Sequence, residues 1–222
     1  MKLASLSWPL VPADAVLAVP LGSTEQHGPH LPLSTDTDIA VALATRLAEA
    51  RADVLLAPAV AYGSSGEHAG FAGTLSIGQD ALEQMLVELV RSADAFRGVV
   101  LINAHGGNAS PLARAAATAS REGRAVVAWA PTSPVSGGAH AGRSETSLML
   151  AIAPALVHMD AARAGDTRPI GELIGALRSG GVASVSATGV LGDPAGASAA
   201  EGESLLASLA SSLVDAVDRR WP

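Results

Sequence analysis

Apolar residues occur along the chain in four short runs that are bounded by turn-forming residues and rich in Val, Leu or Ile. Runs of about four to eight such residues are typical of strands that are buried on both faces of a sheet. They cover residues 15–21, 53–61, 98–103 and 125–130. The pattern therefore predicts four buried strands.

Between these runs, apolar residues recur at intervals of three and four, which is the spacing of an amphipathic helix. The segments with this spacing are residues 38–50, 79–96 and 111–122, and a last one at residues 201–219. Because strands and helices alternate, the pattern predicts right-handed βαβ units and a mainly parallel sheet with helices on both faces. The predicted fold class is α/β.

The length and composition fit one folded unit. The chain has 222 residues, of which 49% are apolar and only 16% are charged, so it can bury a sizeable core. A stretch rich in Gly, Ser and Ala at residues 179–200 indicates a long loop within the chain rather than a domain boundary. We therefore expect a single domain over residues 1–222.

Composition also argues against several classes of protein. No apolar stretch reaches the roughly 18 to 20 residues of a membrane helix, and the N-terminus does not resemble a secretory signal, so a cytoplasmic location is expected. The net charge of −7 and the aromatic content of 3% argue against nucleic acid as a partner. Because the chain has no cysteine, any metal ion must be bound by histidine and carboxylate side chains.

Polar side chains cluster directly after the first and third predicted strands, which is where open α/β sheets bind their ligands. The two clusters are residues 22–36 and 103–108, and a third polar segment, residues 140–147, precedes a later apolar run. No Gly-x-Gly-x-x-Gly motif follows the first strand, and no Gly-x-x-x-x-Gly-Lys motif occurs, so a nucleotide-binding domain is disfavoured. These three segments are the candidate site.

The segment after the first strand contains three candidate metal ligands. Glu25 and His27 lie two residues apart, so in extended backbone both side chains project to the same side and can bind one ion or two neighbouring ions. Asp36 opens a helical pattern, where an aspartate is commonly an N-cap. In combination with Glu25 and His27, its carboxylate is instead a candidate bridge between two metal ions.

Three further candidates come from the later polar segments. His105 follows a strand and precedes two glycines, where a lone histidine is more often structural. Glu145 lies where acidic residues often complement a helix dipole, and His140 lies in a glycine-rich segment. Charge favours a metal site, because three carboxylates and one hydroxide balance two divalent cations. Without cations, burying Glu25, Asp36 and Glu145 would cost several kcal/mol each.

Taken in order, these motifs resemble those of the creatininase family of metal-dependent amidohydrolases. The resemblance rests on residues 22–36, Asn103-x-His105-Gly-Gly-Asn108, His140-Ala-Gly-x-x-Glu145-Thr-Ser, and residues 62–68, 73–76 and 189–194. It implies a three-layer α/β/α sandwich, a centre of two divalent metal ions and a homo-oligomer. The ligands implied by motif match are Glu25, His27, Asp36 and His105, with Asp36 as the bridge.

The sequence departs from creatininase proper at two places. Creatininase has a ligand glutamate two residues after the ligand histidine, whereas this chain has Gly107 there. We infer that Glu145 supplies the missing carboxylate. Residues 131–140 also lack the tryptophan that creatinine hydrolysis uses, so creatinine is not the expected substrate.

The resemblance implies that metal-activated water hydrolyses an amide bond. His140, with the near-neutral pKa usual for histidine, is the expected proton donor to the leaving nitrogen, and Glu67 with His68 is the alternative donor. Within the family, the chain most resembles peptidases that release a C-terminal Val-Tyr unit from a modified precursor peptide during synthesis of a redox cofactor. The alternatives are a formamide hydrolase acting on a purine or pyrimidine intermediate, a cyclic amidohydrolase, and a metal-stabilised scaffold without activity. The donor set suits Zn, Fe(II) or Mn.

Overall fold

Four parallel strands form the central sheet in the computed structural model of the chain, which describes residues 1–131 and 138–222. The strands are β1, Val16–Leu21; β2, Val54–Leu56; β3, Gly98–Asn103; and β4, Val126–Trp129. Their order across the sheet is β2-β1-β3-β4, and Val16 of β1 pairs with Val54 on one side and with Gly98 on the other. The parallel sheet expected from the apolar runs is confirmed.

Helices cover both faces of this sheet. Those in the described residues are α1, Thr35–Ala50; α2, Gln79–Ser92; α3, Ala109–Arg121; α4, Arg143–Ile152; α5, Ile170–Gly180; and α6, Ala199–Asp218. Val16 and Ala18 of β1 pack with α1, α4 and α6, whereas Leu17 and Val19 pack with α2 and α3. Successive residues of β1 thus face opposite layers. This arrangement is the three-layer α/β/α sandwich that was expected.

A small second sheet lies outside the central one. It pairs β5, Gly138–His140, with β6, Leu191–Gly192, in antiparallel orientation. Its placement puts His140 at the end of a strand, although the sequence indicated only a glycine-rich loop. None of the helices in the described ranges has the length and apolar character that crossing a bilayer requires.

Two of the predicted strands differ from the observed ones. The run at residues 53–61 forms a strand only over Val54–Leu56, because Pro58 has no backbone N–H to donate to the sheet. β4 was expected to be buried on both faces, but Ala128 is exposed and the neighbouring Val126 and Val127 are half-buried. The reason is that β4 is at the edge of the sheet, where β3 is its one partner among the described strands.

The helices also differ from the predicted bounds. α2 ends at Ser92 rather than at residue 96, and α1 begins three residues before the predicted start at residue 38. α5 was not predicted, and it takes up the first two residues of the expected loop at residues 179–200. β6 also interrupts that loop.

The carboxyl ends of β1 and β3 bring the polar segments together. The two strands pair as far as Leu21 and Asn103, so residues 22–36 and 103–108 leave the sheet side by side. Asn108 holds them there, because its Nδ2 donates to the carbonyl of Gly22 at 3.0 Å and to Oδ1 of Asn103 at 3.2 Å. The crevice thus lies where the sheet topology predicted it.

Candidate metal centre

Asp36 lies at the middle of a buried cluster of histidines and carboxylates. Its Oδ1 is 3.1 Å from Nε2 of His27, and its Oδ2 is 3.1 Å from Nδ1 of His105. Ser23 Oγ also donates to Oδ2 at 2.5 Å. A carboxylate whose two oxygens face two different histidines has the geometry of a bridge between two ion positions.

The alternative role of Asp36 as an N-cap is wrong. The N-cap residue of α1 is Ser34, and Asp36 is the second residue of the helix, with its side chain turned into the cluster. The Oγ of Ser34 instead donates to the carboxylate of Asp38, in the same turn, at 2.7 Å. Asp36 is therefore not needed to cap the helix.

Glu25 is buried in the same cluster, and neither of its carboxylate oxygens has a hydrogen-bond partner in the described structure. Nε2 of His68 lies 3.2 Å from Oε1, and Nε2 of His105 lies 3.3 Å from Oε2. Burial, reinforced by the charge of Asp36, raises the pKa of Glu25 to about 7. A buried carboxylate without donors is costly, and a bound cation would remove that cost. The residues present thus fit a metal ion.

Three histidines use one ring nitrogen to donate to a backbone carbonyl. His27 Nδ1–H donates to the carbonyl of Glu25 at 3.2 Å, and His105 Nε2–H donates to the carbonyl of Ser64 at 3.0 Å. His140 Nε2–H donates to the carbonyl of Gln26 at 2.7 Å. In the neutral form of each ring, the other nitrogen then carries a lone pair that faces the cluster. This backbone contact is the one that commonly orients histidine ligands of metals.

The electrostatics of the cluster favour positive charge. Burial alone would lower the pKa of His27 and His105, but the nearby carboxylates, with Asp36 foremost, together outweigh burial and raise these values to about 9 and about 10. Against the effect of burial, the same two histidines hold the pKa of Asp36 well below its usual range. The carboxylates thus attract cations, whether these are protons or metal ions.

Glu145 lies at the edge of the cluster, in the first turn of α4. Its Oε2 is 4.0 Å from Nε2 of His27 and accepts a hydrogen bond from the backbone N–H of Ala141 at 2.6 Å. Ala141, the donor of this hydrogen bond, has a left-handed backbone with a φ of 52°. Glu145 therefore occupies a helix-start position and also faces the cluster, as both of its expected roles require.

The described residues contain three groups whose ligand atoms lie close enough to share a metal ion. They are Glu25 with His27 and Asp36, Glu25 with His68 and His140, and His27 with His140 and Glu145. His140 belongs to two of them, and its ring lies between those of His27 and His68, with centroid distances of 4.2 and 4.4 Å. The structure thus brings His140 and His68 into contact with the expected ligands.

The near-neutral pKa expected for His140 is wrong. Burial, together with the charge of His27 and His68, holds the pKa of His140 well below its usual value. Burial and the charge of His105 likewise lower the pKa of His68 to about 3. Both rings are therefore neutral at physiological pH. The Nδ1 of His140 faces the cluster without a proton, whereas Nε2 of His68 carries its proton and lies 3.2 Å from Oε1 of Glu25.

Gln26 is a part of the site that sequence reasoning missed. Its Nε2 donates to Nδ1 of His68 at 2.8 Å and to the carbonyl of Gly189 at 3.0 Å, and it lies 3.1 Å from Nε2 of His140. The available signal was its position between Glu25 and His27. In extended backbone, this position places the Gln26 side chain on the side opposite to those of Glu25 and His27.

A cavity of about 220 Å³ lies over the cluster and is lined by Glu25, Asp36, His105 and His140, among others. Glu67 lies at its opening, with a side chain that is 34% exposed and an Oε1 that is 3.8 Å from Nε2 of His105. The cavity adjoins a larger groove of about 1010 Å³. Residues 132–137, which precede β5 and His140, lie outside the described part of the chain.

The three-layer α/β fold, with a His and carboxylate cluster at the carboxyl ends of its strands, defines an α/β protein that is able to bind metal ions. Residues 4–217 match the family model described as creatininase, creatinine amidohydrolase. The chain belongs to the creatininase family of amide hydrolases, as its motifs indicated.

Relatives agree with this assignment. The mycofactocin precursor peptide peptidase of Mycolicibacterium smegmatis is 50% identical over 212 residues, which cover 93% of this chain and 85% of that protein. A solved structure named Creatininase Mn superposes with a TM-score of 0.84 at 27% identity, covering 100% of this chain and 99% of the other. A mutant creatininase of Zn-Zn type also has a TM-score of 0.84, at 26% identity, and the match covers 100% and 98% of the two chains.

Proposed function

We propose that this protein is a metal-dependent peptidase that hydrolyses an amide bond in a mycofactocin precursor peptide and releases its modified C-terminal Val-Tyr unit. The observation that carries the proposal is the buried Asp36 between His27 and His105, beside a Glu25 carboxylate without donors. The 50% identical relative with this name supports the choice of substrate.

We propose that two divalent ions are bound by Glu25, His27, Asp36, His105 and Glu145, with Asp36 as the bridge. Zn, Mn and Fe(II) all suit a mixed set of imidazole and carboxylate ligands. The solved creatininases named for Zn-Zn and Mn support the first two ions. When bound, such ions supply polarisation of the amide carbonyl and a more acidic water.

In this proposal, His140 moves the proton. Its Nε2–H is held by the carbonyl of Gln26, so Nδ1 carries the lone pair, 3.8 Å from Oε1 of Glu25. Nδ1 accepts a proton from the attacking water and then donates it to the leaving nitrogen. Glu67 and His68 are the alternative pair of donors, and Glu67 is the more accessible of the two, at the cavity opening.

The size of the groove favours a peptide over the alternative substrates. A formamide or a cyclic amide would fill the cavity of about 220 Å³, but neither needs the adjoining groove of about 1010 Å³. A metal-stabilised scaffold without activity needs neither the cavity nor the groove. We further propose a single domain over residues 1–222 that acts as a homo-oligomer in the cytoplasm, with neither nucleic acid nor a membrane as partner.

The proposal predicts metal-dependent release of the C-terminal unit. Purified protein is incubated with the modified precursor peptide, with and without a chelator, and products are identified by mass spectrometry. We expect Asp36→Asn to lower release more than about 100-fold, because metal polarisation contributes several kcal/mol.

The matched control for this test is Asp38→Asn, two residues further along α1, which changes a carboxylate that bonds Ser34 outside the cluster. It should release the unit at the rate of the unchanged protein. Release that persists after chelation would overturn the metal-dependent mechanism. Metal binding without any release would leave the formamide and cyclic-amide substrates to be tested.

A further inference from the structure

The groove beside the metal centre has one wall made by a single face of α5. Ile170, Ile174, Leu177 and Arg178 all line it, at positions that are four, seven and eight residues along the helix. Residues at these intervals share one side of an α-helix. Ile170 and Ile174 are 37% and 40% exposed, so the wall is apolar and accessible. Its far end, in the last turn of α5, carries the guanidinium of Arg178.

The position of this wall is fixed by the opposite face of α5. Leu173 is buried there against Val182 and Leu191. At the end of the helix, Gly181 has a φ of 67°, and a side-chain carbon at this residue would lie 2.7 Å from the carbonyl oxygen of Glu67. The C-terminal end of α5 is thus packed directly against the segment that contributes Glu67 to the cavity opening.

The groove and the cavity over the metal centre are continuous. Both are lined by Glu67, Gly106 and Gly107, and also by Ile170 and Leu177 of α5. A peptide chain that presents an amide bond to the cluster can therefore extend along α5. Its groups would then contact the two isoleucines and Arg178.

Arg178 is the one Lys or Arg side chain among the described residues that line the groove and the cavity. It makes no ion pair or hydrogen bond with another described residue, whereas nearby Arg168 pairs with Asp166, and Arg143 pairs with Glu201. The one carboxylate among the described residues that line the groove is that of Glu67, at the cavity opening. An unpaired guanidinium in an apolar groove is suited to bind a carboxylate through two parallel hydrogen bonds.

We propose that Arg178 is a specificity residue that binds a carboxylate group of the peptide substrate. The carboxylate belongs either to an acidic side chain of the peptide or to its C-terminus. This inference rests on the proposed peptidase function, since it takes a peptide as the occupant of the groove. It adds to that function the requirement that the substrate be anionic at a defined distance from the scissile amide.

Binding of uncleavable peptides to the metal-loaded full chain tests the proposal. The probes are fluorescent precursor peptides with a ketomethylene group in place of the scissile amide. They are made in three forms. The first keeps every carboxylate, the second has an amide in place of the C-terminal carboxylate, and the third has amides in place of the side-chain carboxylates. Kd is measured by anisotropy for the unchanged protein and for Arg178→Gln. Arg121→Gln is the control, because it removes an exposed arginine at the end of α3, away from the groove.

We expect Arg178→Gln to raise the Kd of the fully anionic peptide about tenfold or more, and Arg121→Gln to leave it unchanged. The peptide form for which Arg178→Gln has no effect identifies the carboxylate that Arg178 binds. Equal Kd values for Arg178→Gln and the unchanged protein with every peptide would overturn the proposal, as would equal weakening with every peptide or no binding by the unchanged protein.

Cleavage is measured separately, on the same three peptides made with an ordinary amide bond at the scissile position. If the carboxylate dependence of Kd is found and no peptide is cleaved, the role of Arg178 holds and the proposed peptidase function fails. If peptides are cleaved and the dependence is missing, the peptidase function holds and the role of Arg178 fails.

Discussion

At the scale of single residues, the chemistry of the site depends on which ring nitrogen of each histidine faces the carboxylates. The sequence identified His27 and His105 as candidates because they follow strands, and the structure places both beside Asp36. It could not indicate their tautomers. These depend on the backbone carbonyls of Glu25 and Ser64, and the latter is distant in sequence from His105. The low pKa of His140 was likewise unpredictable, because it results from burial.

The role of His140 gives a prediction about rate and metal content. His140→Ala removes the proposed proton carrier but none of the five proposed ligands. We expect turnover to fall by about 100-fold or more, the usual contribution of general acid–base catalysis, while metal content per chain stays the same. Peptide release and elemental analysis measure the two quantities. His158→Ala, which removes an exposed histidine, is the control. A parallel loss of metal would make His140 a ligand instead.

At the scale of elements, the alternation of strands and helices was predictable because each strand and each helix shows its pattern of buried apolar positions along its whole length. The residues at which the elements begin and end were less predictable. Residues 53–61 read as one strand although Pro58 interrupts its hydrogen bonding. α5 was missed although Ile170, Ile174 and Leu177 have helical spacing, because the segment is short and contains Gly171 and Gly175, which are poor helix formers. β5 pairs with β6 about 50 residues later, and such distant pairing is not visible in a local pattern.

Close packing between the end of β1 and the start of α1 gives a prediction about stability. A side-chain carbon at Gly22 would lie 2.4 Å from the backbone N and Cα of Thr37, next to Asp36. Because neither backbone can move freely, we expect Gly22→Ala to lower the free energy of unfolding by about 1–3 kcal/mol. Metal affinity should fall as well, since the clash displaces the segment that carries Asp36. Chemical denaturation and metal titration measure both effects.

Gly175→Ala is the matched control for this change. Gly175 lies within α5, and nothing is within 4 Å of the position that a side-chain carbon would take. We expect stability to stay the same or to rise by up to about 1 kcal/mol, because alanine is the better helix former. Equal stability of the Gly22→Ala and Gly175→Ala proteins would show that the start of α1 is not tightly packed.

At the scale of the whole molecule, the sheet order brings three distant segments of the chain to one crevice. β1 and β3 are neighbours, so residues 22–36 meet residues 103–108, and β5 with α4 adds His140 and Glu145. The contact between residues 22–36 and residues 103–108 was predictable, because ligand sites of open α/β sheets lie at the carboxyl ends of the strands. The addition of His140 and Glu145 depends on packing between α4 and α6 and on the small second sheet. The sequence indicated this addition only through the family motifs.

Binding of divalent metal ions by the cluster around Asp36 is measured by elemental analysis of the purified chain. We expect two ions per chain and a clear loss of metal in Glu25→Gln, because the buried Glu25 oxygens accept no hydrogen bond from the described residues. Absence of bound metal in the unchanged protein, or an unchanged content in Glu25→Gln, would contradict the account.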